Sequence, residues 1–143
     1  MPLFSKVFYM KHLDIDTDKI TSMIDNHFVN SGTNTSIDVN DITSVSISKS
    51  ILELKKFSDL KKQLTNELNN FFYDVMNYES EFKITTSWFT KSQNSQSSNY
   101  HNHNNSMFSG ILYLQTDENS GDISFEDFNN RRYKLNVKEY NIY

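Results

Sequence analysis

The sequence predicts an α+β domain, a β-rich core braced by helices that precede it in the chain. Three observations carry this. Apolar residues at helical spacing are concentrated before residue 80, alternating apolar and polar runs dominate from residue 81, and 143 residues suit one domain with room for a core. The chain is therefore read as a single domain, 1–143, with a strand and helices over 1–80 and the β part over 81–143. No internal repeat and no linker-like segment divides it.

The elements run in order along the chain. Residues 3–9 (LFSKVFY) alternate well enough for a first strand. Asp14, Asp16 and Thr17 offer N-caps for a helix whose Ile20, Met23, Ile24 and Phe28 recur at three- and four-residue steps, with Gly32 as its stop. Residues 30–41 read as a polar loop and 44–47 (SVSI) as a short strand. The strongest helix covers about 58–78. Its Leu60, Leu64, Leu68, Phe71, Phe72, Val75 and Met76 form one apolar stripe, and Ser58 is placed to cap its exposed amides. Beyond it, Phe82, Ile84, Thr86 and Trp88 alternate, 91–98 is a polar loop, and 106–116 (SMFSGILYLQT) has the densest β-propensity in the chain. A turn at 119–121 leads to an alternating run with Ile123, Phe125 and Phe128 facing inward, and Tyr133, Leu135 and Val137 mark a last strand.

Composition excludes several functions. Lys plus Arg is 14 against 18 Asp plus Glu, a net charge of −4, which gives no electrostatic footprint for nucleic acid or an anionic membrane. With no cysteine there is no disulfide scaffold, thiol nucleophile or thiolate metal site. No apolar run approaches the ~20 residues of a membrane span, and the charged N-terminus is not a signal peptide. The reading is a soluble, cytoplasmic domain. The absence of alanine, the mere two arginines (Arg131 and Arg132) and the many asparagines follow from an AT-rich coding sequence and need no functional cause.

One stretch carries chemistry: Tyr100-His101-Asn102-His103-Asn104-Asn105-Ser106. On an extended strand, residues i and i+2 project from one face, roughly 6.5–7 Å apart at Cα. His101 and His103 can then converge on one metal ion, and imidazole suits iron, zinc, copper and nickel. Alone, an H-x-H pair is more simply two surface histidines in an Asn/Ser-rich loop. Trp88 reads as packing, and His12 and His27 as structural. Asp122, Glu126 and Asp127 are carboxylates that could complete a ligand set, though Asp122 and Glu126 share a face that is more simply solvated.

The residues around and beyond the histidines are more specific. Trp88, then His101 and His103, then Ser109, Gly110, Tyr113 and Leu114, then Ser120 and Gly121 stand in an order that resembles a family of Fe(II)- and 2-oxoglutarate-dependent oxygenases common in phages and marine bacteria. The resemblance is tightest over residues 86–128. It implies a double-stranded β-helix, a jelly-roll (cupin-like) barrel of eight strands. It further implies Fe(II) held by three protein side chains and chelated by 2-oxoglutarate, with O₂ and a substrate of unknown identity as partners. Enzymes of this kind couple decarboxylation of 2-oxoglutarate to succinate with hydroxylation of the substrate. On this resemblance His101 and His103 are the metal ligands, and Tyr113 is the residue that hydrogen-bonds 2-oxoglutarate. The second ligand position is usually a carboxylate in such enzymes. Here it is His103, or, if His103 is the first ligand, the amide of Asn105.

The family's distal histidine and the basic residue for the far carboxylate of 2-oxoglutarate come after a proline-containing strand and turn, and the only proline here is Pro2. The 63 residues from Glu81 to Tyr143 hold about five strands. The expectation is an incomplete barrel, a chain truncated at its C-terminus that does not turn over alone, with neither Arg131 nor Arg132 as the 2-oxoglutarate arginine. Two other readings compete. One is a non-catalytic jelly-roll binding or phage structural module with incidental histidines; the other is a cupin-like metalloprotein of different chemistry. Fold alone does not separate them. The sequence leaves the substrate and the oligomeric state open.

Overall fold

A computed structural model describes residues 7–31, 42–43, 50–92, 100–127 and 129–137, with backbone alone described for 28–31 and 42–43. The α+β class holds. Helix α1 runs Thr17–Ser31, a two-residue strand β1 is Ile42–Thr43, and two 3₁₀ turns, Ile51–Glu53 and Lys55–Phe57, lead into α2, Ser58–Asn70. A π turn, Phe71–Val75, closes α2, followed by strands β2 (Thr90–Lys91), β3 (Ile123–Glu126) and β4 (Arg132–Leu135). Among the described residues no helix is long and apolar enough to cross a membrane.

The helical half forms as the periodicity predicts. Asp16 caps α1: its carboxylate accepts from the Lys19 amide at 2.9 Å while its carbonyl accepts from Ile20 at 3.1 Å. Ile20 and Ile24 then turn inward and join Ile51, Leu52, Phe57 and Leu60 in one buried cluster. Ile51 and Phe57 are wholly buried at its centre. The helix reaches Ser31, one residue short of the expected stop; Gly32, the loop 32–41, the strand at 44–47, residues 93–98 of the polar loop, the first six residues and Phe128 lie outside the described residues. Of the expected first strand the described part, residues 7–9, forms no strand.

Helix α2 departs from expectation at both ends. Ser58 is its first helical residue and makes no side-chain cap. The 3₁₀ turn before it does the capping, because the Ser58 amide donates to the Lys55 carbonyl. At the far end the stripe does not continue as α-helix. Phe71 and Phe72 enter a π turn, Met76 donates to the Phe71 carbonyl at 3.2 Å, and Tyr78 donates to Phe72 at 2.9 Å. Asn77 supplies the left-handed residue (φ 55°) that reverses the chain. The widened turn leaves Val75 exposed and puts Phe72 at the centre of an aromatic group. Phe82 stacks on it at 3.8 Å, Phe71 lies at 5.1 Å and Phe108 at 4.4 Å.

The eight-stranded double-stranded β-helix is not what the described residues form. They carry two antiparallel ladders of two strands each, β1–β2 and β3–β4. A strand exists only through its ladder, and the β-prone run 106–116 is instead spread over the helical half. Phe108 rests on Phe72, and Leu112 and Leu114 pack against the Ile51–Phe57 cluster. The 82–88 run behaves similarly. Phe82 and Ile84 point inward as the alternation predicts, but Phe82 is held by Asn69, whose side-chain oxygen accepts from the Phe82 amide at 2.8 Å. The last two alternating runs do pair, with Ile123 opposite Leu135 and Phe125 opposite Tyr133, but only the Ile123–Leu135 end turns inward; Phe125, expected to face the core, is exposed with Tyr133. The hairpin turn is built by Asp127, whose Oδ1 accepts from the amides of Asn129 and Arg131 at 2.8 and 2.9 Å. Asn130 takes the left-handed position (φ 58°).

Phe57→Ala is expected to cost about 3–5 kcal/mol and Tyr133→Ala, on an exposed hairpin face, within about 0.5 kcal/mol, read from urea midpoints. Equal losses would place the core elsewhere. A second expectation concerns pH. Burial first, and the Lys56 ammonium second, lower the pKa of His27 below its usual value. Protonation therefore favours the unfolded chain: stability falls as pH drops through the ordinary histidine range towards the lowered value, and levels off beneath it. His27→Gln should flatten that part of the stability profile; an unchanged slope would assign it to other groups.

Candidate functional site

The site begins with the segment 87–91. Ser87 is fastened to the chain just ahead of α2 by a parallel bridge with Ser50. Its carbonyl accepts from the Ile51 amide and its hydroxyl from the Leu52 amide, both at 3.0 Å. Phe89 points the same way and meets Phe57 at 5.0 Å. Lys91 ends the segment, paired with Asp25 of α1 at 3.0 Å and laddered to Ile42. With Ser87 and Phe89 committed to the core, Trp88 between them is left to face the other side. There its ring meets His103, 5.2 Å between centroids.

His101 and His103 are brought together. Their imidazole rings lie 5.1 Å apart and nearly perpendicular, at 87°. A nitrogen about 2.0–2.1 Å from a metal puts its ring centroid roughly 3.2 Å from that ion, so two rings about 5 Å apart suit one shared ion. The loop that carries them is exposed throughout residues 100–111, and a turn in which the Ser106 amide donates to the His103 carbonyl at 3.1 Å closes it. Tyr100, just before the pair, lies beneath the Arg132 guanidinium at 4.8 Å.

The other expected site residues lie apart or have other work. Tyr113 is half-buried between Leu112 and Leu114, and burial raises its pKa, so its hydroxyl keeps its proton. Among the described residues it makes no ring contact or hydrogen bond with either histidine. Glu126 pairs with Arg132 at 3.0 Å, and Asp127 builds the hairpin turn. Asp122 is exposed, as are Ser109, Gly110 and Asn105. Among the described residues no group of three or more His, Asp or Glu side chains is arranged to hold a metal ion. The donor set is therefore two imidazoles, which fit a d-block ion as part of its coordination shell. The residue that sequence reasoning passed over is Arg132. Its contact with Tyr100 spans 32 positions, and no local pattern announces it.

Trp88 is the only tryptophan, so its emission reports on this contact. His103→Ala should increase acrylamide quenching of Trp88, whereas His12→Ala, on an exposed residue of the N-terminal half, should not. Equal quenching in both would remove His103 from the indole.

Comparison with known proteins adds one finding. Residues 86–140 match the family model described as "Putative 2OG-Fe(II) oxygenase", a span that takes in Trp88, both histidines, Tyr113 and the β3–β4 hairpin. Searches of curated proteins and of solved structures return no match.

Proposed function

We propose that this chain is an oxygenase dependent on Fe(II) and 2-oxoglutarate, with residues 86–140 belonging to its double-stranded β-helix. His101 and His103 are two of the iron ligands, and the Tyr113 hydroxyl donates a hydrogen bond to 2-oxoglutarate. One observation carries the reading: the H-x-H pair, two imidazoles 5.1 Å apart, lies within the segment similar to that family. Fe(II) with 2-oxoglutarate would supply O₂-dependent hydroxylation of a substrate.

The chain's own residues do the rest. The two imidazoles bind through nitrogen, a donor suited to a borderline ion such as Fe(II). Trp88 covers one face of His103 and limits its rotation. The exposed loop leaves the pair open to solvent and to substrate. The segment 87–91 ties this arrangement to the helical core, which acts as a brace for the β part and takes no part in the chemistry.

Anaerobic titration with Fe(II), followed by Trp88 emission, should show saturable quenching with a Kd on the order of micromolar, tightened by 2-oxoglutarate. The combined His101→Ala/His103→Ala variant should lose it. Binding that survives the double substitution, or an Fe(II)-indifferent wild type, would overturn the assignment and favour a binding module with incidental histidines.

A further inference from the structure

Residues 100–111 are exposed without exception, so burial does not hold the histidine loop in place. Side-chain contacts must: Phe108 seats the end of the segment on Phe72, and nearer the histidines two further contacts stand, one on each side of the pair. His103 leans on Trp88. On the other side Tyr100 lies under Arg132, and that exposed guanidinium has a partner of its own. Its Nε donates to Glu126 Oε2 at 3.0 Å, and Glu126 and Arg132 face each other as a register pair of the β3–β4 ladder. A guanidinium held by a cross-strand carboxylate has lost much of its rotamer freedom before it meets the ring, which lowers the entropic cost of the contact.

We propose that Arg132 is a positioning residue for the metal-binding loop: gripped by Glu126, it holds the Tyr100 ring and thereby sets His101 in place beside His103. The proposal rests on the reading of these histidines as metal ligands. Arg132 touches neither the metal position nor 2-oxoglutarate in this role; it acts through Tyr100. Its charge would by itself disfavour a nearby dication, so an electrostatic role and a positioning role predict opposite signs. Removing the guanidinium tightens metal binding if charge dominates and weakens it if placement dominates.

The test uses the full chain with Co(II) as an air-stable probe, read by Trp88 quenching, and the His101 imidazole proton resonances of the metal-free protein as a second readout. Arg132→Ala and Tyr100→Ala should each weaken Co(II) binding about 2- to 5-fold, the range for an exposed cation–π contact. The double variant should be no weaker than either single one, because both remove the same contact. Tyr100→Phe keeps the ring and should bind as wild type, and both alanine variants should move the His101 resonances. Unchanged or tighter Co(II) binding in Arg132→Ala, additive losses in the double variant, or static His101 resonances would overturn the proposal. If the wild type shows no histidine-dependent Co(II) binding, the ligand reading falls instead, and the His101 resonances still decide whether Arg132 positions that ring.

Discussion

The arrangement of this molecule depends on one clamp. Two successive backbone amides, those of Ile51 and Leu52, donate to the carbonyl and the hydroxyl of a single residue, Ser87. The pair of bonds joins the start of the helical core to the segment that leads into the β part. Because Ile51 is wholly buried, its amide cannot turn to water if Ser87 moves away. A buried amide left without an acceptor costs about 1–3 kcal/mol, so the position of Ser87 is strongly determined. Phe89 then falls against Phe57, and Trp88, between two inward residues, is directed towards the histidines.

From that clamp outward the structure becomes progressively more exposed. The core cluster of α1, the 3₁₀ turns and α2 is closed. The aromatic group around Phe72 is partly open, with Tyr78 and Phe108 at its edge. The histidine loop and the β3–β4 hairpin are mostly on the surface, and a lone two-stranded hairpin is marginal in water. Segments at this low-stability end move cheaply unless a few contacts hold them. Two such contacts flank the pair here, Trp88 on His103 and Arg132 on Tyr100.

Much of the helical half is legible in the sequence because helical periodicity records burial directly. Ile20, Ile24 and Leu60 are inward where their spacing puts them, and Asp16 is one of the three caps the sequence offers. The departures have local causes that spacing does not encode. A 3₁₀ turn satisfies the Ser58 amide from the backbone, and the π turn at Phe71–Val75 changes which residues of the stripe face inward. The β part is less legible. Alternation identifies Phe82 and Ile84 as inward but not what covers them, and β-propensity alone does not say that Leu112 and Leu114 turn inward; here the covering partners are Phe72 and the core cluster. For the site, the H-x-H spacing picks out two histidines, and their rings do meet. The contacts of Trp88 with His103 and of Tyr100 with Arg132 join positions far apart in the chain, which no pattern in a single sequence displays.

A clamp in the core thus sets the geometry of the histidine pair on the surface. Cross-peaks between the Trp88 indole and His103 imidazole protons, recorded by NMR in the wild type and in Ser87→Ala, test it most directly. The clamp predicts clear cross-peaks in the wild type that weaken in the variant, where Leu52 loses its side-chain acceptor, while circular dichroism shows the helices retained. Absence of the cross-peaks in the wild type, or equal intensity in both proteins, would contradict it.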